Sequence, residues 1–167
     1  MYKITKDGVA LDPKLYTIDK VNRTFTSEEN GLVINFTGKS DWHFRIRNNC
    51  TVTAGDECFI DAWGDCTITT ANRCTINTGS GCDITTGDYA VVVTCGNSTI
   101  TGGENCVVIR RYTNEVIKLI AGQTIRLNGY RTEGYEVVKP IETIEIGGLK
   151  FNKEEVEDFL KNLKPIN

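Results

Sequence analysis

The sequence predicts an all-β protein built on a parallel β-solenoid, or β-helix, with about 16 residues per coil. Irregular strands cap the coil, and a short C-terminal β-hairpin plus α-helix follows it. Three observations carry this reading. Cysteines recur every eight positions at 50, 58, 66, 74 and 82, and the register continues through Ala90, Ser98 and Cys106. An aliphatic residue follows each of them by two: Val52, Ile60, Ile68, Ile76, Ile84, Val92, Ile100 and Val108. The intervening positions fall into two alternating sets, so the spatial period is two octads.

Each octad reads as a short strand with alternation of period two, then a turn. The inward positions are the Cys register, the aliphatic, and then Ala54, Ala62, Thr70, Thr78, Thr86, Thr94, Gly102 and Arg110. Turns such as Gly55-Asp56-Glu57 and Gly79-Ser80-Gly81 follow, rich in residues that turn the chain cheaply. Small inward side chains suit a narrow interior, and free Cys packs as a small hydrophobe.

One outward set reads Asn35/Thr37, Thr51/Thr53, Thr67/Thr69, Asp83/Thr85 and Thr99/Thr101, a threonine face. The other reads His43/Arg45, Phe59/Asp61, Thr75/Asn77, Val91/Val93 and Val107/Ile109, a mixed face that becomes apolar toward its end. A three-sided coil of 24 residues would scramble these sets.

In chain order, residues 1–31 form an N-terminal cap with a strand near Tyr16–Phe25. Residues 32–111 form the octapeptide solenoid, and the larger inward residues Leu32, Ile34, Phe36, Trp42, Phe44 and Ile46 mark its wider end. Residues 112–138 form capping strands, at Glu115–Leu119 and Thr124–Leu127, with a hairpin signal at Asn128-Gly129. Tyr130 and Tyr135 are expected to pack over the open end. Residues 139–167 form a hairpin around Gly147-Gly148 and an amphipathic helix, opened by Asn152 with Glu155 three residues on. Its stripe of Val156, Phe159, Leu160 and Leu163 is expected to cover the apolar part of the mixed face, Val91, Val93, Val107 and Ile109, or to serve an oligomer contact.

Composition narrows the function. The net charge of −3 with 25 % charged residues gives no basic excess for nucleic acid, which is not an expected partner. No run of 18 apolar residues is present, so no membrane partner is expected, and the charged start does not read as a signal peptide. A reducing compartment, the cytoplasm, is therefore the expected location.

The cysteines read as core packing, because zinc ligands usually sit two to four residues apart. Cys95, out of step in a turn, is the expected exposed thiol. Asp56, Asp65, Asp88 and Glu104 read as turn residues rather than calcium ligands, and no cofactor or metal is expected. Arg45, Arg47, Arg110 and Arg111 are candidate basic contacts. With one histidine and no P-loop, HExxH or GxSxG pattern, the chain is not expected to be an enzyme.

The octads Cys66-Thr-Ile-Thr-Thr70 and Cys74-Thr-Ile-Asn-Thr-Gly-Ser-Gly81 resemble a group of small phage and prophage proteins built from Cys-Thr-Phe/Ile-x-Thr-Gly repeats. Asn105-Cys-Val-Val-Ile-Arg-Arg111, Ile125-Arg-Leu-Asn-Gly-Tyr130 and Glu133-Gly-Tyr135 are similar to the ending of that group. The resemblance spans roughly residues 45–138 and brings no catalytic residues with it. More distantly, Cys50-Thr-Val-Thr-Ala-Gly55 resembles the octads of bacterial ice-nucleation proteins. The repeat length is also that of the trimeric needle of contractile phage tails.

The expected function is that of a phage-derived, non-enzymatic interaction protein. It would bind a host protein, such as a component of a defence system, through Thr51, Thr53, Thr67, Thr69, Asp83, Thr85, Thr99 and Thr101. Self-association as a homodimer or trimer is the other partner expectation. A structural virion component (tail tip, needle or fibre piece) and a small-ligand or ice-binding solenoid are the alternatives.

Overall fold

The computed structural model describes residues 2–139 and 142–162. It opens with two antiparallel pairs, β1 (Lys3–Lys6) with β2 (Val9–Ala10) and β3 (Tyr16–Asp19) with β4 (Thr24–Ser27). The solenoid strands follow: β5 (Leu32–Asn35), β6 (His43–Ile46), β7 (Thr51–Thr53), β8 (Phe59–Ala62), β9 (Thr67–Thr69), β10 (Thr75–Asn77), β11 (Asp83–Thr85), β12 (Val91–Thr94), β13 (Thr99–Thr101) and β14 (Val107–Arg110). Odd strands β5 to β13 stack in parallel as one sheet, and even strands β4 to β14 stack as the other. Register advances by 16 residues per coil: Thr51 lies beside Thr67, Asp83 and Thr99, and Phe59 beside Thr75, Val91 and Val107. The two-strand, 16-residue coil is therefore the architecture.

The first coil departs from that count. Val33 and Asn35 pair with Thr51 and Thr53, so Asn35 and Thr37 are not the first pair of the threonine face. Two extra residues sit in the corner Phe36–Asp41, where Lys39 N–H bonds back to Phe36 C=O and Gly38 takes φ 67°. Phe36 turns inward against Trp42 and Phe44, at 4.8 Å and 5.1 Å between ring centroids, and this aromatic bulk needs the longer corner.

Both ends are closed by antiparallel strands, which cover sheet edges that would otherwise template further pairing. At the start, β1 covers β5 and β3 covers β4. The segment read as one strand near Tyr16–Phe25 is thus a hairpin, because Asp19 caps a tight turn by accepting from Val21 and Asn22 N–H. Its second strand already belongs to the coil. At the far end, β15 (Val116–Lys118) covers β14, and β16 (Thr124–Leu127) covers β13 and pairs with β17 (Tyr135–Val138).

The core is a single column. Ile34, Val52, Ile68, Ile84 and Ile100 from one sheet meet Phe44, Ile60, Ile76, Val92 and Val108 from the other, all essentially excluded from solvent. Ile117, Leu119, Ile125 and Leu127 close it. Tyr130 and Tyr135 do not: they are 48 % and 43 % exposed, and Tyr130 packs beside Tyr112 instead. The plug at that end is Arg110, whose side chain is wholly buried.

The C-terminal hairpin, β18 (Thr143–Ile146) with β19 (Leu149–Asn152), runs directly into α1 (Lys153–Asn162). Asn152 Oδ1 accepts the Glu154 N–H, so the cap predicted at Asn152 is formed. The helix packs on β19 and does not cover the mixed face. Phe159 and Leu160 are 65 % and 58 % exposed, while Val156 is half-buried. Leu163 lies outside the described residues. β19 runs into α1 with no linker, and the helix contacts that adjoining strand.

Candidate functional site

Inward packing leaves two faces and two corner rows available. Corners are built by a recurring backbone device. The residue before each Cys-register position adopts left-handed φ: Asn49, Glu57, Asp65, Arg73, Gly81, Tyr89, Asn97 and Asn105, at 52° to 75°. Some ladder bonds at the corners are long, for example 3.3 Å from Ala71 N to Gly55 O and from Gly79 N to Trp63 O. The thiols supplement them. Cys66 Sγ donates to Arg47 O at 3.2 Å, Cys74 Sγ to Gly55 O at 3.3 Å and Cys106 Sγ to Gly87 O at 3.0 Å. Ser98 at the same register donates within its own turn to Gly96 O and accepts the Cys82 N–H of the coil before.

All seven cysteines are free and buried. Six of them form two rows, Cys50–Cys66–Cys82 on one corner and Cys58–Cys74 on the other, with Cys106 further along the second. Neighbouring sulfurs, then burial, push the Cys66 and Cys58 thiols well above the ordinary range. Cys95 is buried too, with its sulfur 3.9 Å from Thr78 O, so it is not the exposed thiol expected from its position. Its corner curls inward to meet the loop that follows β16, where Asn97 N–H bonds to Asn128 O.

The acids Asp56 and Asp88 lie in one corner row with Asn72 and Glu104. Each side chain accepts the backbone N–H one coil on: Asp56 from Asn72 at 3.0 Å, Asn72 from Asp88 at 2.9 Å, Asp88 from Glu104 at 2.8 Å. Their oxygens complete the turn, and Asp65 sits on the opposite corner. Among the described residues, no three His, Cys, Asp or Glu side chains converge as metal ligands.

The four candidate arginines do not form one site. Arg45 and Arg47 lie on and beside β6, four strands from β14. Arg47 binds Glu28 and lies 4.2 Å over the Trp63 ring. Arg111 donates to Asn77. Arg110 is a clamp rather than a contact. Its guanidinium donates to Glu115 at 3.2 Å, to the carbonyls of Asn128, Gly129 and Gly134 at 3.0, 2.9 and 3.2 Å, and to that of Thr132. Glu115 in turn accepts the Gly134 N–H, which locks the loop over the core.

The threonine face is assembled as the register demands. Thr51, Thr67, Asp83 and Thr99 form one outward row, and Thr53, Thr69, Thr85 and Thr101 form the second. Parallel strands set the rows' steps at about 4.8 Å across and roughly 6.6 Å along. Thr51, Thr67, Thr69, Asp83 and Thr85 are exposed; Thr53, Thr99 and Thr101 are half-buried. Thr101 shares a 2.8 Å hydrogen bond with Thr124, which extends the second row onto β16. Arg126 ends the first row beside Thr99 and pairs with Glu136 at 3.0 Å. The sequence reading did not include Thr124 and Arg126 in the face, because an antiparallel strand brings them in from outside the repeat.

The opposite face is polar and aromatic at one end, where His43 meets Phe59 edge-on at 4.6 Å and Asn77 bonds to Asp61 at 3.2 Å. At the other end Val91, Val93, Val107 and Ile109 are half-buried, and Val116 beside Ile109 is 61 % exposed. Among the described residues, no helix is long and apolar enough to cross a membrane. Comparison with family models, curated proteins and solved structures finds no match to this chain.

Proposed function

We propose that this chain is a non-enzymatic interaction protein that presents its threonine face, Thr51 to Thr101, to a host protein. The observation that carries the reading is the flat double row of small hydroxyl side chains and one carboxylate, held in register by hydrogen-bonded coils. Ordering costs little on such a surface: the backbone is fixed by the sheet and Thr has one preferred χ1 or two. The octad resemblance to small phage proteins supports a phage origin and a partner inside the host, with inhibition of a defence protein as the role to test. A needle-like or fibre role has less support, because the coils close within one chain and antiparallel strands cap both ends.

The test is affinity capture from host lysate with the native chain beside the Thr67→Arg/Thr85→Arg variant, which projects two long cations from the face. A host protein enriched by the native chain and lost with the variant is the expected result. Equal capture by both, or none above background, overturns the reading.

A second reading draws on the same rows. Regular hydroxyl spacing can order water, and in an ice-binding protein Thr67→Arg would abolish inhibition of ice recrystallisation. Absence of inhibition in the native chain rejects it.

A further inference from the structure

We propose that the hairpin–helix unit, Thr143–Asn162, is a dimerisation element that pairs with the same unit of a second copy of this chain. Cross-strand register makes the hairpin two-faced. Ile144 lies opposite Phe151 and Ile146 opposite Leu149, which puts four apolar side chains on one face. Thr143 opposite Asn152, and Glu145 opposite Lys150, occupy the reverse. The helix adds Val156, Phe159 and Leu160 at helical spacing.

None of these residues is buried. Leu149 and Phe159 are each 65 % exposed, Leu160 58 %, Ile146 50 %, Phe151 41 % and Ile144 38 %. A single hairpin and a ten-residue helix are each marginal in water, and units this short usually need a partner, a metal or disulfides to fold. This unit has neither cysteine nor histidine. Its stability must therefore come from a surface outside itself.

Area and charge select the occupant. Six side chains at roughly half exposure offer on the order of 600 Å² per copy, near the ~800 Å² per partner of a standard interface. A twofold contact sets a patch against itself, so the patch must carry no charge at its centre. The hairpin face meets that condition, with Glu145 and Lys150 on its reverse; on the helix the acids lie outside the apolar stripe, and Lys153, one turn before Val156 on the stripe's side, is paired with Glu142 at 2.8 Å. A partner needed for folding must also be present whenever the chain is made, and a second copy always is. The proposal is independent of the threonine-face reading, since the two surfaces share no residue.

Sedimentation equilibrium of the full chain tests it, at concentrations from about 1 to 100 µM to span the ordinary range of weak dimers. The expected mass is twice the 18.5 kDa of one chain, falling to one chain mass in Phe159→Asp. Phe159 lies outside the solenoid, so the midpoint of the solenoid's thermal transition should be unchanged in that variant, which separates lost pairing from lost folding of the solenoid. Val93→Asp/Ile109→Asp, on the solenoid's mixed face, should leave the mass at two chains. A single chain mass throughout, a trimer, or a dimer that survives Phe159→Asp but dissolves in Val93→Asp/Ile109→Asp would each overturn the proposal.

Discussion

At the scale of single residues, the corners hold the clearest conflicts between sequence and backbone. Asn49, Asp65, Asn97 and Asn105 tolerate left-handed φ, and Gly81 adopts it freely, but Glu57, Arg73 and Tyr89 hold it at 57° to 58° against their Cβ. Tyr89 is 56 % exposed, so little packing offsets the strain. Tyr89→Gly is expected to stabilise the chain by about 0.5–1 kcal/mol, the strain relieved less the entropy glycine adds to the unfolded state. A urea melt compared with the native chain measures this. Arg110 is the opposite case, a buried charge whose two terminal nitrogens are satisfied by Glu115 and the loop carbonyls, while its Nε–H has no partner. Arg110→Met takes a donor from Glu115 and from four loop carbonyls, of which Asn128, Gly129 and Gly134 O keep a backbone N–H. It should cost about 3–5 kcal/mol, the usual range for breaking a buried pair. Hydrogen exchange should then quicken first at β16 and β17. The register showed that position 110 points inward. What Arg110 does there was not legible, because its carbonyl acceptors lie 18 to 24 residues on, in a loop outside the repeat.

At the scale of elements, the octad period was legible because one constraint repeats: a narrow interior admits one aliphatic per strand flanked by small residues. The thiols' role as donors to corner carbonyls was not legible, since packing and hydrogen bonding both ask for a small side chain. The register of the first coil was misread for a related reason. Phe36 and Trp42 keep the inward alternation on either side of a corner that is two residues longer, and alternation alone does not count residues through a bend. The cap at Asn152 was readable from local chemistry, whereas the docking of α1 depended on a tertiary choice that amphipathicity leaves open. Corner closeness gives an element-scale prediction. A Cβ at Gly55 would lie 2.6 Å from Lys39 O and 2.8 Å from its carbonyl carbon, both backbone atoms. Gly55→Ala should therefore destabilise by about 1–3 kcal/mol, as overpacking does, and a lowered thermal midpoint would show it.

At the scale of the whole molecule, the design is a rod whose interior is fully committed. Thiols, the core threonines other than Thr78, and the corner acids bond within or between coils, which leaves the outward rows and the C-terminal unit as the surfaces free to meet a partner. The most direct test of that division is photo-crosslinking in host cells, with a photoreactive residue placed at Thr67 on the threonine face or at Thr75 on the opposite sheet. The account predicts a discrete crosslinked host protein from position 67 and none from position 75. Crosslinking from position 75 alone, or equally from both, would contradict it.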